Sequence, residues 1–151
     1  LNSLSTYALL VFALIVGGSL ASQAGINSQL RIALNSPIQA AFISFLIGTI
    51  ILGTISIFQN ESWFTKESIS ALPWWAWLGG AFGAFNIAMS VFLAPKLGAL
   101  VLAISIVCGQ VIASIVLDHN GWLGYPKIEL SITRICGAVL IVLGVILVAR
   151  R

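Results

Sequence analysis

Five long apolar segments, separated at four prolines, constrain this chain more than any other feature. They cover about residues 6–34, 38–58, 74–94, 97–117 and 131–149. A helix of about 20 apolar residues crosses the hydrocarbon of a bilayer, and each segment is close to that length or longer. Pro37, Pro73, Pro95 and Pro126 fall between segments, where a residue without an N–H ends or restarts a helix. Charged residues are 7% of the chain. A soluble domain carries about 25%, so a water-facing surface is out of reach. The sequence reads as an all-α membrane protein, residues 1–151 forming one domain of five transmembrane helices with no space for a soluble catalytic module. The first segment has no preceding basic stretch and no small-residue cleavage site, so it is expected to remain as a span.

The first segment also holds the densest polar pattern. In GGSLASQAGINSQLR, residues 17–31, Ser19, Gln23, Asn27 and Arg31 recur every four residues along one drifting helical face. Gly17, Ala21 and Gly25 repeat at the same spacing on a neighbouring face, a small-xxx-small pattern that lets another helix approach closely in lipid. Amides and a cation along a hydrophobic helix need partners in protein or water. Two readings meet that need: the stripe ties helices together, or it walls a polar pathway.

Asn35-Ser36-Pro37 breaks this helix, with Ser36 placed to cap the next one and Pro37 in its first turn. Ser44 is central in the second span, and a hydroxyl there is expected to bond back to its own helix. Residues 59–72 form a loop with Glu61, Lys66 and Glu67, where Phe64, Ile69 and Leu72 suit a short helix on the membrane surface. Trp74, Trp75 and Trp77 open the third span as an interfacial anchor. Gly79 and Gly83 give that span a close-packing face, and Asn86 and Ser90 lie one turn apart near its middle. Pro95-Lys96 reads as a tight break, with Lys96 an interfacial anchor. Gln110, Ser114 and Asp118 form a second four-residue stripe on the fourth span, which ends at Asp118-His119-Asn120-Gly121. Arg134 opens the fifth span, with Glu129 or lipid phosphate as its expected partner.

Several function classes drop out. The seven Lys and Arg are scattered, apart from Arg150-Arg151, so nucleic acid is not an expected partner. Cys108 and Cys136 lie inside apolar segments without redox or metal spacing and read as small buried hydrophobes. No nucleophile–base pair, metal cluster or phosphate loop points to an enzyme, a metal or a cofactor.

Five spans would put the termini on opposite sides of the membrane. The N-terminal side would receive Lys66, Lys127 and Arg134; the other would receive Arg31, Lys96, Arg150 and Arg151. Orientation follows an excess of cations on one side, and three against four is almost none, so insertion both ways is permitted. Tyr7, Trp63, Trp74, Trp75, Trp77, Trp122 and Tyr125 all map to the N-terminal side. An antiparallel homodimer would carry an aromatic belt on both faces, with a closed two-fold axis in the membrane plane and a substrate site near the midplane.

Five stretches taken together resemble one family: the Gln23–Asn27–Leu30 run with SPIQAAFISFLIGT, then PWWAWLGGAFGAFN, APKLGA, GQVIASIVLDHNG and RICGAVLIVLGVIL. Their order and spacing are similar to the YdcZ-type family of small five-span proteins in the drug/metabolite transporter superfamily, over nearly the whole chain. The resemblance implies a plasma (inner) membrane transporter that pairs in antiparallel fashion, with a second copy or with a homologous subunit. Where that family usually has an aromatic after the Asp-His pair, this chain has Asn120. The superfamily's four-span multidrug members carry a membrane-buried carboxylate in the first helix; here that helix has Gln23 and Asn27 instead. An amide does not titrate, so proton exchange of that form is not expected.

The candidate substrate pathway is Ser19, Gln23, Asn27, Asn86, Ser90, Gln110 and Ser114. Donors and acceptors without fixed charge favour a polar neutral or zwitterionic solute. Asp118 and His119 are the candidate titrating pair near the membrane. Arg31 meets an anionic substrate group or snorkels to headgroups. Three classes of function remain: a secondary transporter working as an antiparallel dimer, a passive channel, and a structural or accessory membrane subunit.

Overall fold

A computed structural model describes residues 3–59 and 65–150. The sequence readings on Glu61, Trp63, Phe64 and Arg151 lie outside them. Among the described residues the elements are α1 (Ser3–Leu34), α2 (Pro37–Phe58), a short α3 (Lys66–Ser70), α4 (Leu78–Leu97), α5 (Ala99–Asn120) and α6 (Ile132–Ala149), with 3₁₀ turns at Trp74–Trp77 and Trp122–Gly124. Five segments are long and apolar enough to cross a membrane, the third running from Trp74 to Leu97. Large apolar side chains such as Phe12, Leu14, Phe42, Phe82 and Leu147 face outward, while the buried apolar ones among the described residues are Ala40, Ala41, Val91 and Leu102. In water each exposed Å² of apolar surface would cost about 25 cal/mol. In hydrocarbon that cost vanishes, and the helical backbone keeps its polar groups internally bonded.

The chain, read in sequence as one five-helix domain, divides into two compact units, Leu1–Lys96 and Leu97–Arg151. In the first, α1 and α2 pack as a hairpin. Asn35 turns the chain at φ 52, a left-handed conformation that asparagine tolerates. Ser36 then caps α2 as expected, its Oγ accepting from the Gln39 N–H at 3.3 Å, with Pro37 in the first turn. Next to this turn Asn27, Ser28, Ala40 and Ala41 are buried, small side chains that let two helices come close. Residues 6–22 of α1 are all exposed.

The three tryptophans before α4 are 76%, 41% and 59% exposed at Trp74, Trp75 and Trp77, which favours interfacial anchors over a core cluster. Tyr7, Trp122 and Tyr125 are exposed too. One boundary differs from the sequence reading. The break expected at Pro95-Lys96 lies at Gly98 instead, where φ is 78, and α4 runs through Pro95 to Leu97. Pro95 removes only the hydrogen bond to the Val91 carbonyl close to the helix end, whereas the positive φ that separates the two helices is a conformation that glycine adopts freely. Lys96 folds back along α4, its Nζ 3.6 Å from the centroid of the Phe92 ring, a cation–π contact one turn away.

In the second unit α5 and α6 pack against each other. Helix α5 runs to Asn120 and Gly121 ends it as expected, at φ 66 with its N–H on the Asp118 carbonyl at 3.3 Å. Leu123 also has positive φ, at 57. Ser131 caps α6, its Oγ accepting from the Arg134 N–H at 3.3 Å. Cys136, expected to be buried, is exposed, and Cys108 is half-buried. The outer face of a spanning helix meets lipid, where a small apolar thiol is as well placed as inside.

A Cβ at Gly121 would stand 3.3 Å from the Lys127 Cβ, at a φ that disfavours side chains. Gly121→Val should therefore lose about 1–2 kcal/mol, read as a lower unfolding midpoint in detergent. Gly137→Val, where an added Cβ meets nothing within 4 Å, should leave the midpoint nearly unchanged.

Candidate functional site

The polar stripe of α1 finds its partner in α2. Ser44 Oγ accepts from Asn27 Nδ2 at 3.1 Å and from Gln23 Nε2 at 3.5 Å. The expectation that Ser44 bonds back to its own helix is thus corrected: its oxygen serves two amides of α1. The reason is geometric. Asn27 lies eight residues before Asn35 and Ser44 eight after Ser36, so in an antiparallel hairpin they come level. Asn27 is buried, and Gln23 and Ser44 are half-buried. At 1.5 Å per residue the cluster lies about 10 Å along α2 from its start.

The other pathway residues are placed variously. Ser19 is exposed and its hydroxyl donates to its own Val16 carbonyl at 2.8 Å, so it does not join the cluster. On α4, Ser90 is buried at 6% exposure while Asn86 is exposed. In the second unit Gln110 and Ser114 lie on exposed positions of α5. The small-residue face of α1 is open: an added Cβ at Gly17 or Gly25 meets nothing within 4 Å, and Ala21 is exposed. Gly79 is equally open, but a Cβ at Gly83 would meet the Phe45 ring at 3.1 Å. Of these packing positions, Gly83 is the one with a helix neighbour, α2.

The second unit holds an ion pair that the sequence reading assigned otherwise. Arg134 Nη2 bonds Asp118 Oδ2, so Arg134 pairs with Asp118 and not with Glu129. Asp118 is held twice, since its carbonyl also accepts the Ile128 N–H at 2.8 Å and folds the 125–131 connection back over the end of α5. Each charge sits where its own helix repels it: an acid in the last turn of α5, a base in the first turn of α6. The contact between them offsets both. Arg134 Nη1 is buried with no hydrogen-bond partner among the described residues. His119 is exposed next to the pair.

Chemically, the α1–α2 cluster is neutral. With Ser44 oxygen accepting, its O–H remains a donor, and Gln23 and Asn27 keep carbonyl acceptors. Such a set has free donors and acceptors for hydrogen bonding and no group that titrates. Ser44 is the residue that sequence reasoning left out of the site; the signal for it was its equal distance from the turn.

The family described as "Putative inner membrane exporter, YdcZ" matches residues 8–147. "Inner membrane protein YdcZ" of Escherichia coli (strain K12) is 30% identical over 112 residues, 74% of this chain and 74% of that protein. No solved structure matches.

Ser44→Ala removes the acceptor of two amides and should cost about 1 kcal/mol of α1–α2 stability, the scale of interhelical hydrogen bonds in membranes. Ser44→Thr should restore it, both measured by unfolding in mixed micelles. For the ion pair, Asp118→Ala leaves a guanidinium uncompensated and should cost about 1–3 kcal/mol. Adding Arg134→Ala to that variant should recover part of the loss, a coupling that a double-mutant cycle reads directly.

Proposed function

This chain belongs to the YdcZ family of inner-membrane proteins, and from that footing we propose that it is a secondary transporter exporting a small polar or amphipathic metabolite. Its two inverted subunits alternate access to a site near the midplane. The observation that carries this reading is the Gln23–Asn27–Ser44 cluster, a neutral hydrogen-bonding group set in two largely apolar spans. Amides buried at membrane depth are unfavourable unless partnered and are kept where they serve a pathway or a contact. The cluster has no titrating member, which favours a neutral or zwitterionic solute over exchange of protons for a lipophilic cation.

Ser44 lies seven residues into the 22-residue α2, off its middle toward the start. In an antiparallel pair the two copies therefore contribute one polar station to each leaflet, flanking the midplane. Access that alternates between sides then amounts to handing a solute from one station to its symmetry mate. Asn86, Ser90, Gln110 and Ser114 are the remaining candidates along that route.

A second reading, an accessory subunit without transport of its own, rests on the open glycine face of α1. Two experiments separate them. Cells overproducing the protein should release polar neutral metabolites into the medium, and Gln23→Ala, Asn86→Ala or Gln110→Ala should abolish that release while the oligomer persists. Loss of the oligomer in these variants would favour the accessory role. For orientation, a single cysteine at the C-terminus of a Cys108→Ser, Cys136→Ser protein should label from outside in half the population of intact cells. All-or-none labelling would remove the homodimer and call for a homologous partner of opposite orientation.

A further inference from the structure

Helix α5 carries an amide that its own unit leaves unmatched. Gln110 has eleven residues of the helix before it and ten after, so it stands at mid-depth of this span. It is exposed and makes no hydrogen bond among the described residues. The α1 amides of Gln23 and Asn27 are answered by Ser44; Gln110 has no such neighbour, and hydrocarbon offers it nothing. Gly109, Ala113 and Ser114 beside it are exposed too, and a Cβ at Gly109 would meet nothing within 4 Å. Small residues around an amide let another helix approach closely. Asn86 lies at the same depth of the third span, but among the exposed Phe82, Phe85 and Met89, whose bulk holds a neighbouring backbone off.

Depth decides the occupant. The two-fold axis of an inverted pair lies in the membrane plane, so a residue above the midplane meets one that started below it. Only at mid-depth does a residue meet its own copy. Ser114, four residues on, would stand about 12 Å along the helix direction from its counterpart. A primary amide suits the axis, because it carries a donor beside an acceptor and a two-fold rotation presents them in complementary order. Resting on the inverted-transporter reading above, we propose that Gln110 meets Gln110 of a second copy on the axis, and that the two amides form the central solute site. That site lies between the two Gln23–Asn27–Ser44 stations. Empty, the amides bond each other; a solute with a donor next to an acceptor, as a carboxamide has, inserts between them.

Oxidative cross-linking in native membranes tests the placement, in a Cys108→Ser, Cys136→Ser background. Gln110→Cys should give a disulfide-linked dimer. Ser114→Cys should stay monomeric on the gel, since its counterpart lies beyond the roughly 7 Å that a disulfide spans between Cα atoms. Absence of the Gln110→Cys dimer, in a protein whose C-terminal cysteine labels from outside in half the population, overturns this placement and leaves the inverted transporter standing. A Ser114→Cys dimer means parallel copies and overturns both. Gln110→Leu tests the solute site: release of polar metabolites into the medium should be lost while size-exclusion chromatography in detergent still shows a dimer. Release at the wild-type level overturns the site. So does dissociation of the dimer, which would make the two amides a contact between copies and nothing more.

Discussion

Hydrocarbon offers a polar group nothing to bond with, and the arrangement of this chain follows from that single fact. Backbone groups answer it by forming helices. Side chains answer it by finding one another across them. The Ser44 hydroxyl between two α1 amides is the clearest case. It fixes which face of α1 meets α2 and holds the two at one register, while the surrounding leucines and isoleucines, equally content against lipid, specify neither.

The same requirement governs the other end of the chain in ionic form. Asp118 and Arg134 each oppose the field of the helix that carries them, and each is accepted because the other is there. The α5–α6 connection closes on that contact, with the Ile128 amide on the Asp118 carbonyl. Among the described residues, each unit thus carries a polar contact across a helical hairpin: an uncharged one between α1 and α2, a charged one between α5 and α6.

The spans were legible in the sequence because length and hydropathy alone set them, and Ser36 and Gly121 were legible as caps because their chemistry is local. The boundary at Gly98 was not, since proline is the louder signal and the positive φ that ends the helical run belongs to the glycine three residues on. Ser44 and the partner of Arg134 were missed for a common reason. Periodicity along one helix shows which residues share a face, but not which residue of the next helix stands level with them. Counting outward from each turn supplies that information. The exposed face of Cys136 was misread because burial rules drawn from water do not rank the inside of a protein above its outside in lipid.

Helix α1 has 32 residues, about 48 Å of rod, against about 30 Å of hydrocarbon. It cannot stand upright and stay wholly within the core, so it leans or overhangs, and the choice depends on the bilayer. Because Asn27 and Gln23 on this rod are tied to Ser44 on the shorter α2, and a two-residue turn joins the helices, a membrane that draws α1 upright or lets it lean carries α2 with it. Hydrophobic mismatch thereby becomes a mechanical input: the thickness of the surrounding membrane bears on the tilt of the whole hairpin.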